Sequence, residues 1–485
     1  MPNHDSPISV ADAIAALAFI GDLSMGQPTD HSPRTAWLGA RIAALGGHDD
    51  AMCRAVRQVA LLRWSGCTAN APEFADLLGD DVGGRATLLE QRIDDPAFAY
   101  VAAKVHANMR ALTSIHCEVS GQIAGTLGVA NGVEQALRHI FARYDEHGAD
   151  AAQVPASVFI VALAGDLEIL SRAQGLAGAL ATIARKAGVA YPRALADGVA
   201  RHAADWLARL DRDETWRDEV PADSGSRRRG VALELVADVV DLKLPWLAGH
   251  SRRVAAAARD CAAAMGLDAA SRLRCYRAAL LHGVGRAAIP NGVWNAPGPL
   301  TASAREQTRL APYWTGRAAG RIGRLAGDAE IASYVGERLD GSGHFRNCLG
   351  AAIPLEGRIV ACAAAWIALR SARPWRPAFA LEQARAQLQG EARAGRFDAG
   401  VADALCGAGA LSAAPAPAPA APVALTGREI DILRAVSLGH TNKEVARQLD
   451  ISPSTVRTHL ENVFRKLACT TRAAATLKAL TWGLI

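Results

Sequence analysis

The chain has 485 residues and a formal net charge of +5, from 53 Lys and Arg against 48 Asp and Glu. Half of the residues are hydrophobic but only 5% are aromatic, a balance that favours packed helices in an all-α fold. The longest apolar run, from Ile359 to Leu369, is too short to cross a membrane, and the nine cysteines form no CxxC pair. The N-terminus has no basic segment typical of a signal peptide. We expect a cytoplasmic protein with no membrane segment, cofactor or metal.

Two segments without core-forming residues divide the sequence into three blocks. Residues 209–232 are polar and charged, and residues 407–424 are rich in alanine and proline, which favours a stiff, extended linker. We therefore predict helical domains at 1–208 and 233–406, and a small domain at 425–485. Nine basic and five acidic residues lie in this last block, so the basic character of the chain belongs there.

The two large blocks resemble each other, which indicates a duplicated helical domain. Three strings of the first block recur in the same order in the second: HSPR at 31–34 as HSRR at 250–253, LLR at 61–63 as LLH at 280–282, and IVA at 160–162 as IVA at 359–361. The interval from the start of the first string to the end of the second is 32 residues in both blocks, from 31 to 63 and from 250 to 282.

The second block carries a series of motifs typical of one enzyme family. It contains GHSRRVA, AALLHGVGRAAIPNGVWNAPGPLT, ERLDGSGHF and IPLEGRIVACAAAW, in that order. Across residues 235–405 it resembles the HD-GYP phosphohydrolases, which hydrolyse phosphodiesters, often cyclic di-GMP, at a centre of several metal ions. Such a centre requires clustered imidazoles and carboxylates to hold the ions and to ionise a water.

Most of the metal ligands that this resemblance implies are missing. His250 and His282 stand at the first two histidine positions. The other five expected ligands are replaced by residues that cannot bind a metal: Gly283, Ala311, Val335, Gly336 and Ala364. Because two neutral histidines without a carboxylate cannot hold two divalent ions against water, we expect no metal and no catalysis. An apolar pocket left in their place would suit a small-molecule or nucleotide effector, although no residue requires one.

The first block departs further from the enzyme pattern. His31 is retained, but Arg63 and Trp64 stand at the position of the HD pair. A cation there would repel a metal ion. We expect His31, His250 and His282 to be buried histidines that serve the structure.

The last block is predicted as four short helices with clear start signals. The pattern T-x-x-E at residues 426–429 and 441–444 predicts two capping boxes. Ser452 is a good cap for a third helix, with Pro453 at the first position, where its missing N–H costs nothing. A helix that ends near Leu449, a short turn and a new helix form the helix-turn-helix layout.

The third helix of this block has two distinct faces. Residues at three- and four-residue steps form an apolar stripe toward the core: Val456, Leu460, Val463, Phe464 and Leu467. The opposite face mixes cations with short hydroxyls: Ser454, Thr455, Arg457, Thr458, Glu461 and Arg465. Recognition in the DNA major groove uses this mixture, because Arg binds guanine bidentately and Thr offers a hydroxyl and a methyl group.

The strings TNKEVA, ISPSTVRTH and RKL make residues 425–485 resemble the LuxR-type helix-turn-helix family. The resemblance implies base contacts by Arg457, Thr458 and Glu461, and backbone contacts by Asn442, Lys443, Ser454, Thr455 and Lys466. Ala468 stands where the family usually has glycine. If Ala468 is left-handed, it costs about 1 kcal/mol of stability.

The sequence therefore predicts a transcriptional regulator that binds double-stranded DNA. Its two tandem HD-like domains form a sensory or dimerising body. Helix-turn-helix modules usually bind two half-sites as dimers, so we expect a homodimer. Candidate dimer contacts are the body and the last helix, where Ala474, Leu477 and Leu480 form one stripe. Two alternatives remain open: a metal-dependent phosphohydrolase coupled to DNA binding, and a module that binds a partner protein with DNA binding secondary.

Overall fold

The computed structural model confirms the all-α fold. It describes residues 7–147, 154–212, 214–219, 230–318, 320–407 and 423–485. The chain divides into a first unit, Ser9–Val231, and a second unit that comprises Ala232–Ile485 with the first eight residues. Apart from its ends, the linker predicted at 407–424 lies outside the described residues. Where the structure describes the chain, it contains no helix that combines the length and the apolar character needed to span a membrane.

The first unit is built from helices that surround a long buried helix, α9, which is interrupted at Gly175. Its helices are α1 (Val10–Ser24), α2 (His31–Leu45), α3 (Asp50–Leu62), α4 (Ala71–Leu78), α5 (Asp81–Glu90), α6 (Pro96–Leu127), α7 (Asn131–Arg138), α8 (Tyr144–His147), α9 (Ala156–Lys186) and α10 (Arg193–Arg212). Helix α10 runs past the predicted domain end at residue 208, and Trp216, in the predicted charged linker, is buried. Two short strands, β1 (Pro7–Ser9) and β2 (Gly230–Ala232), lie at the ends of this unit.

The second unit holds the HD-like block and the small C-terminal domain. The helices of the block are α11 (Glu234–Asp241), α12 (His250–Ala264), α13 (Ala269–Leu281), α14 (Asn291–Trp294), α15 (Ala302–Ala318), α16 (Ala326–Ala332), α17 (Leu355–Leu369), α18 (Leu381–Arg393) and α19 (Ala399–Gly407). The C-terminal domain consists of α20 (Gly427–Ser437), α21 (Asn442–Gln448), α22 (Pro453–Leu467) and α23 (Arg472–Thr481).

The same arrangement of helices occurs in both units. Helices α2 and α12 have 15 residues each, α3 and α13 have 13 each, and the two pairs pack against α9 and α17 respectively. Alanine-rich helices such as α12 form readily, because alanine has the highest helix propensity. In the first unit Asp22 accepts hydrogen bonds from the backbone N–H and the hydroxyl of Ser32, at 3.0 and 2.6 Å. Asp241 accepts the same two bonds from Ser251, at 2.7 and 2.9 Å. We call this shared feature the Asp–Ser clamp.

Candidate DNA-binding surface and expected metal positions

Helices α21 and α22 form the predicted helix-turn-helix. At the start of α21, the Thr441 N–H donates to the Glu444 carboxylate at 2.7 Å, and the Glu444 N–H donates to the Thr441 hydroxyl at 3.3 Å. The same capping box begins α20. The Ser452 hydroxyl accepts from the Thr455 N–H at 3.0 Å and so fixes the start of α22. All the predicted start signals are therefore confirmed.

Helix α22 presents one face to the core of its domain and the other to solvent. The buried residues are Val456, Leu460, Val463 and Leu467, with Phe464 half-buried. The exposed residues are Ser454, Thr455, Arg457, Thr458, Glu461 and Arg465. The side chains that the sequence assigns to DNA contacts along α22 are thus accessible, except for Lys466, which is half-buried.

Arg457 and Glu461 form an ion pair on this exposed face. The Arg457 Nε donates to the Glu461 Oε1 at 2.9 Å, and the two side chains are 77% and 61% exposed. Such an exposed pair, one helical turn apart, contributes about 0.3–0.5 kcal/mol. A DNA base would therefore compete for the guanidinium at little cost, and Glu461 positions Arg457 in the free protein.

Short hydroxyls gather at the N-terminus of α22. The Ser454 Oγ and the Thr455 Oγ1 lie 2.7 and 2.8 Å from the Ser452 Oγ. Lys443 is exposed on the first turn of α21. Hydroxyls, a lysine and the unpaired amides of a helix N-terminus suit the oxygens of a phosphate backbone.

Asn442 and Lys466 make contacts within the domain. The Asn442 Oδ1 accepts from the Arg472 Nη2 at 2.8 Å. The Lys466 Nζ lies 2.7 Å from the Oε2 of Glu429, a nearly buried carboxylate, and so ties α22 to α20. Arg472 is exposed at the first turn of α23. The sequence did not predict its contact with Asn442, because an isolated cation at this position belongs to no motif.

The apolar stripe of the last helix is interior. Ala474, Leu477 and Leu480 are 0%, 0% and 5% exposed. Helix α23 packs against α20 and α22 of its own domain and against α11 of the HD-like block. The stripe is therefore not a free surface, and the prediction that it forms the dimer contact is wrong.

Residues 245–249, which we call the docking segment, contact the C-terminal domain at two points. A Cβ placed on Gly249 would lie 3.3 Å from the Leu480 Cδ2. A Cβ placed on Gly439 would lie 3.0 Å from the Pro245 Cβ. The DNA-binding domain thus rests on the chain immediately before His250.

The two histidines at the expected metal position of the second unit lie in close contact. His250 begins α12 and His282 follows α13, with ring centroids 5.8 Å apart, and both are buried. The five replaced positions supply no ligand atom. In the described ranges, no three His, Cys, Asp or Glu side chains lie close enough together to hold a metal ion.

The His282 nitrogen that would bind a metal, Nε2, accepts a hydrogen bond from Arg286. The His282 Nδ1 lies 2.6 Å from the Ala279 carbonyl oxygen, and its Nε2 lies 2.7 Å from the Arg286 Nη2. Because a carbonyl only accepts and a guanidinium only donates, Nδ1 carries the proton and Nε2 accepts from Arg286. Burial and the Arg286 charge lower the pKa of His282 to about 3. A Cβ on Gly283 would lie 2.7 Å from the Arg286 Nη1, so glycine at the HD position leaves room for the guanidinium.

Three arginines act electrostatically on His250: Arg286, Arg253 and Arg373. We call the three the arginine cluster. Burial and the charges of Arg373 and Arg286 hold the pKa of His250 well below its ordinary value. Burial and Arg286 also lower the pKa of Arg373, to about 9. The Asp241 Oδ1 lies 3.7 Å from the Arg286 Nη1, and burial raises the pKa of Asp241 to about 6.

These residues do not fit a divalent metal ion. Three guanidiniums would repel the ion, and the remaining carboxylate already accepts bonds in the Asp–Ser clamp. The prediction of an apolar pocket at this position is also wrong, because the residues found there are positively charged.

The centre of the first unit is filled by a different set of charges. The His31 Nδ1 contacts the fully buried carboxylate of Glu168. Glu168 accepts two hydrogen bonds from Arg172, both at 2.8 Å, and lies 3.3 Å from the Arg34 Nε. Burial alone would raise the pKa of Glu168, but His31 and Arg172 have the larger opposite effect and lower it to about 2. Glu168 was not predicted, because no motif marks it.

Arg63, at the HD position of this unit, is buried, and its guanidinium lies over the Trp64 ring. Its guanidinium occupies the place that a Cβ on Gly165 would take. Burial lowers the pKa of Arg63 to about 10, while Asp166, Asp22 and Glu168 raise it. Arg63 is thus a buried cation at the position where the sequence predicts that a cation would repel a metal ion.

Comparisons with known proteins agree with the two kinds of domain. Residues 234–401 match the family model of the HD domain, and residues 423–479 match bacterial regulatory proteins of the luxR family. The 3'3'-cGAMP-specific phosphodiesterase 3 of Vibrio cholerae serotype O1 is 23% identical over 415 residues, which cover 78% of this chain and 90% of that protein. A nitrate/nitrite response regulator protein homolog of Haemophilus influenzae is 47% identical over 53 residues, 11% of this chain and 26% of that protein.

A solved structure is similar over most of the chain. The crystal structure of a cyclic GMP-AMP specific phosphodiesterase of V. cholerae aligns with a TM-score of 0.58 at 20% identity and covers 83% of this chain and 98% of that one. At this identity the likeness shows the fold alone. Together with the family matches, it shows that the chain carries a LuxR-family helix-turn-helix domain C-terminal to an HD domain.

Proposed function

We propose that this protein is a cytoplasmic transcriptional regulator that binds double-stranded DNA sequence-specifically through α22. The observation that carries the proposal is the exposed face of α22, with Arg457 at its centre, in a domain that matches the luxR family. The excess of basic residues in 425–485 supports attraction to the phosphate backbone. None of the nine cysteines, all in described parts of the chain, forms a disulfide, which is typical of a reducing compartment.

We propose further that the HD-like body does not hydrolyse phosphodiesters and serves as a sensory or dimerising body. An HD hydrolase depends on a water that its metal ions activate. Here the guanidinium of Arg286 holds the lone pair that His282 would give to such an ion. Arginine cannot ionise a water in this way, since it is a permanent cation without an open coordination position.

The second candidate is a phosphohydrolase coupled to DNA binding. It is favoured by the V. cholerae relative that is named a 3'3'-cGAMP-specific phosphodiesterase. Elemental analysis of the purified full chain decides between the two, together with an assay of 3'3'-cGAMP hydrolysis. We expect no stoichiometric transition metal and no turnover; one or more tightly held ions per chain with turnover would establish the enzyme.

DNA recognition is tested by mapping the bound sites across the genome and measuring the affinity of two variants for a mapped site. Arg457→Ala should lose about 1–3 kcal/mol and relax the preference at one base pair per half-site. Lys443→Ala should weaken binding to all sequences alike and reduce the salt slope by about one. Both variants must keep wild-type helicity and melting temperature. The reverse assignment of effects would show that α22 is not the recognition helix.

A homodimer follows from the two-half-site geometry of helix-turn-helix modules. Because the stripe on α23 is interior, we propose that the HD-like body supplies the contact. Light scattering of the full chain at micromolar concentration without DNA should find a dimer. A strictly monomeric chain would contradict association through the body.

A further inference from the structure

Three buried nitrogen atoms at the expected metal position of the second unit have no hydrogen-bond partner among the described residues. They are the His250 Nδ1, the Arg286 Nη1 and the Arg373 Nη1. The Arg286 Nη1 lies 3.7 Å from the Asp241 Oδ1, too far for a hydrogen bond. An unsatisfied buried polar group costs about 1–3 kcal/mol, so these atoms leave hydrogen-bonding capacity for a ligand.

The charges at this place define the ligand as an anion. The arginine cluster faces Asp241, whose oxygens are engaged by Ser251. The nearby Asp238 does not compensate the cluster, because it forms a bidentate pair with Arg252 at 2.8 and 2.6 Å. Positive charge therefore exceeds negative charge at the centre. Arg253 is exposed and the Arg286 side chain is 16% exposed, so the cluster is partly open to solvent.

An aromatic platform lies beside the cluster. The rings of Trp246 and Trp375 are 5.8 Å apart at 79°, and Trp375 is 47% exposed. The Arg373 Cζ lies 4.7 Å from the Trp246 ring centroid, and the Trp246 Nε1 donates to the Asn295 Oδ1 at 2.8 Å. One tryptophan is thus held in place by side-chain contacts while the other presents its ring to solvent.

We propose that the arginine cluster binds the phosphate group of a nucleotide whose base stacks on Trp375. Planar guanidiniums bind phosphate through paired N–H donors, and an aromatic side chain stacks any base, typically for about 1–3 kcal/mol. The proposal rests on the proposed absence of a metal ion, since the arginines would occupy the place of the ions. In this proposal the HD-like body binds a nucleotide and does not hydrolyse it.

Calorimetric titration of the full chain in the presence of EDTA tests the site, with inorganic phosphate, AMP and GMP as probes. We expect the nucleotides to bind more tightly than phosphate. Arg373→Gln should weaken all three by about tenfold or more, since it removes a guanidinium fork. Arg393→Gln, which removes an exposed arginine at the end of α18, should leave all three unchanged. Arg373→Lys keeps the charge without the fork and should bind with intermediate affinity.

A second variant distinguishes a nucleotide from free phosphate. Trp375→Ala should weaken AMP and GMP by about tenfold while leaving inorganic phosphate unchanged, because only the base loses its partner. The proposal would be overturned if Trp375→Ala weakened all three probes equally, or if the wild-type protein bound none of them. Binding that appears only when a divalent metal ion replaces EDTA in the titration would overturn both this proposal and the proposed absence of catalysis. Loss of nucleotide binding alone, in a protein that still binds its mapped DNA sites, would overturn only this one.

Discussion

The centres of the two units share a helical frame and differ in how they compensate buried charge. In the first unit the buried Glu168 is paired with His31, Arg34 and Arg172, so its charge is compensated within the protein. Around Arg286 in the second unit, Asp241 faces a cluster of arginines. One copy pairs its charged side chains with each other, and the other has an excess of positive charge.

The largest expected effect is the loss of the internal counter-ion in the first unit. Glu168→Ala should lower the free energy of unfolding by about 3–5 kcal/mol, because His31, Arg34 and Arg172 would lose a buried partner. Denaturant unfolding followed by circular dichroism measures the shift. As a control, Glu134→Ala removes a partly exposed pair with Arg138 and should cost about 0–1 kcal/mol. Equal costs for the two changes would contradict the role of Glu168.

The shared frame predicts an intermediate effect that is the same in both units. Asp22→Ala and Asp241→Ala each remove the acceptor of two clamp hydrogen bonds and should cost about 1.5–3 kcal/mol. Ser32→Ala and Ser251→Ala keep the backbone bond and should cost less. Thermal unfolding of the four variants provides the measurement. A clamp that matters in one unit only would break the equivalence of the two frames.

The smallest effects concern the space around each arginine. Gly165→Ala should cost about 1–3 kcal/mol, because the added methyl group overlaps the buried guanidinium of Arg63. Gly283→Ala should cost less than about 1 kcal/mol, since the obstacle is the far end of the partly exposed Arg286 side chain. Melting temperatures of the two variants test this order, and a larger cost at Gly283 would show that Arg286 is as fixed as Arg63.

The parts of the structure that depend on local signals were predictable from the sequence. Helix starts at Thr441 and Ser452 follow from side chains that bond amides within three residues. The faces of α22 follow from helical periodicity. Ala468 adopts the left-handed conformation, with φ of 48°, that its replacement of a family glycine implies.

The charge arrangement of the centres was not predictable, because it depends on residues far apart in the chain. Glu168 lies 137 residues from His31, and no motif connects the two. Arginines in a polar stretch look like surface residues, and only the packed structure shows that Arg286 and Arg373 point inward. The stripe on α23 shows the same limit: an apolar face predicts burial, but the pattern does not say whether the same chain or a second copy covers it.

The docking segment lies between the proposed nucleotide site and the DNA-binding domain, so the two binding affinities can be coupled through it. Trp246 follows directly after Pro245, which contacts Gly439, and Gly249 precedes His250. If a nucleotide changes the affinity for DNA by some factor, DNA must change the affinity for the nucleotide by the same factor. An operator would then act as an effector of the HD-like body, and molecules on DNA would hold a different share of nucleotide from molecules free in solution.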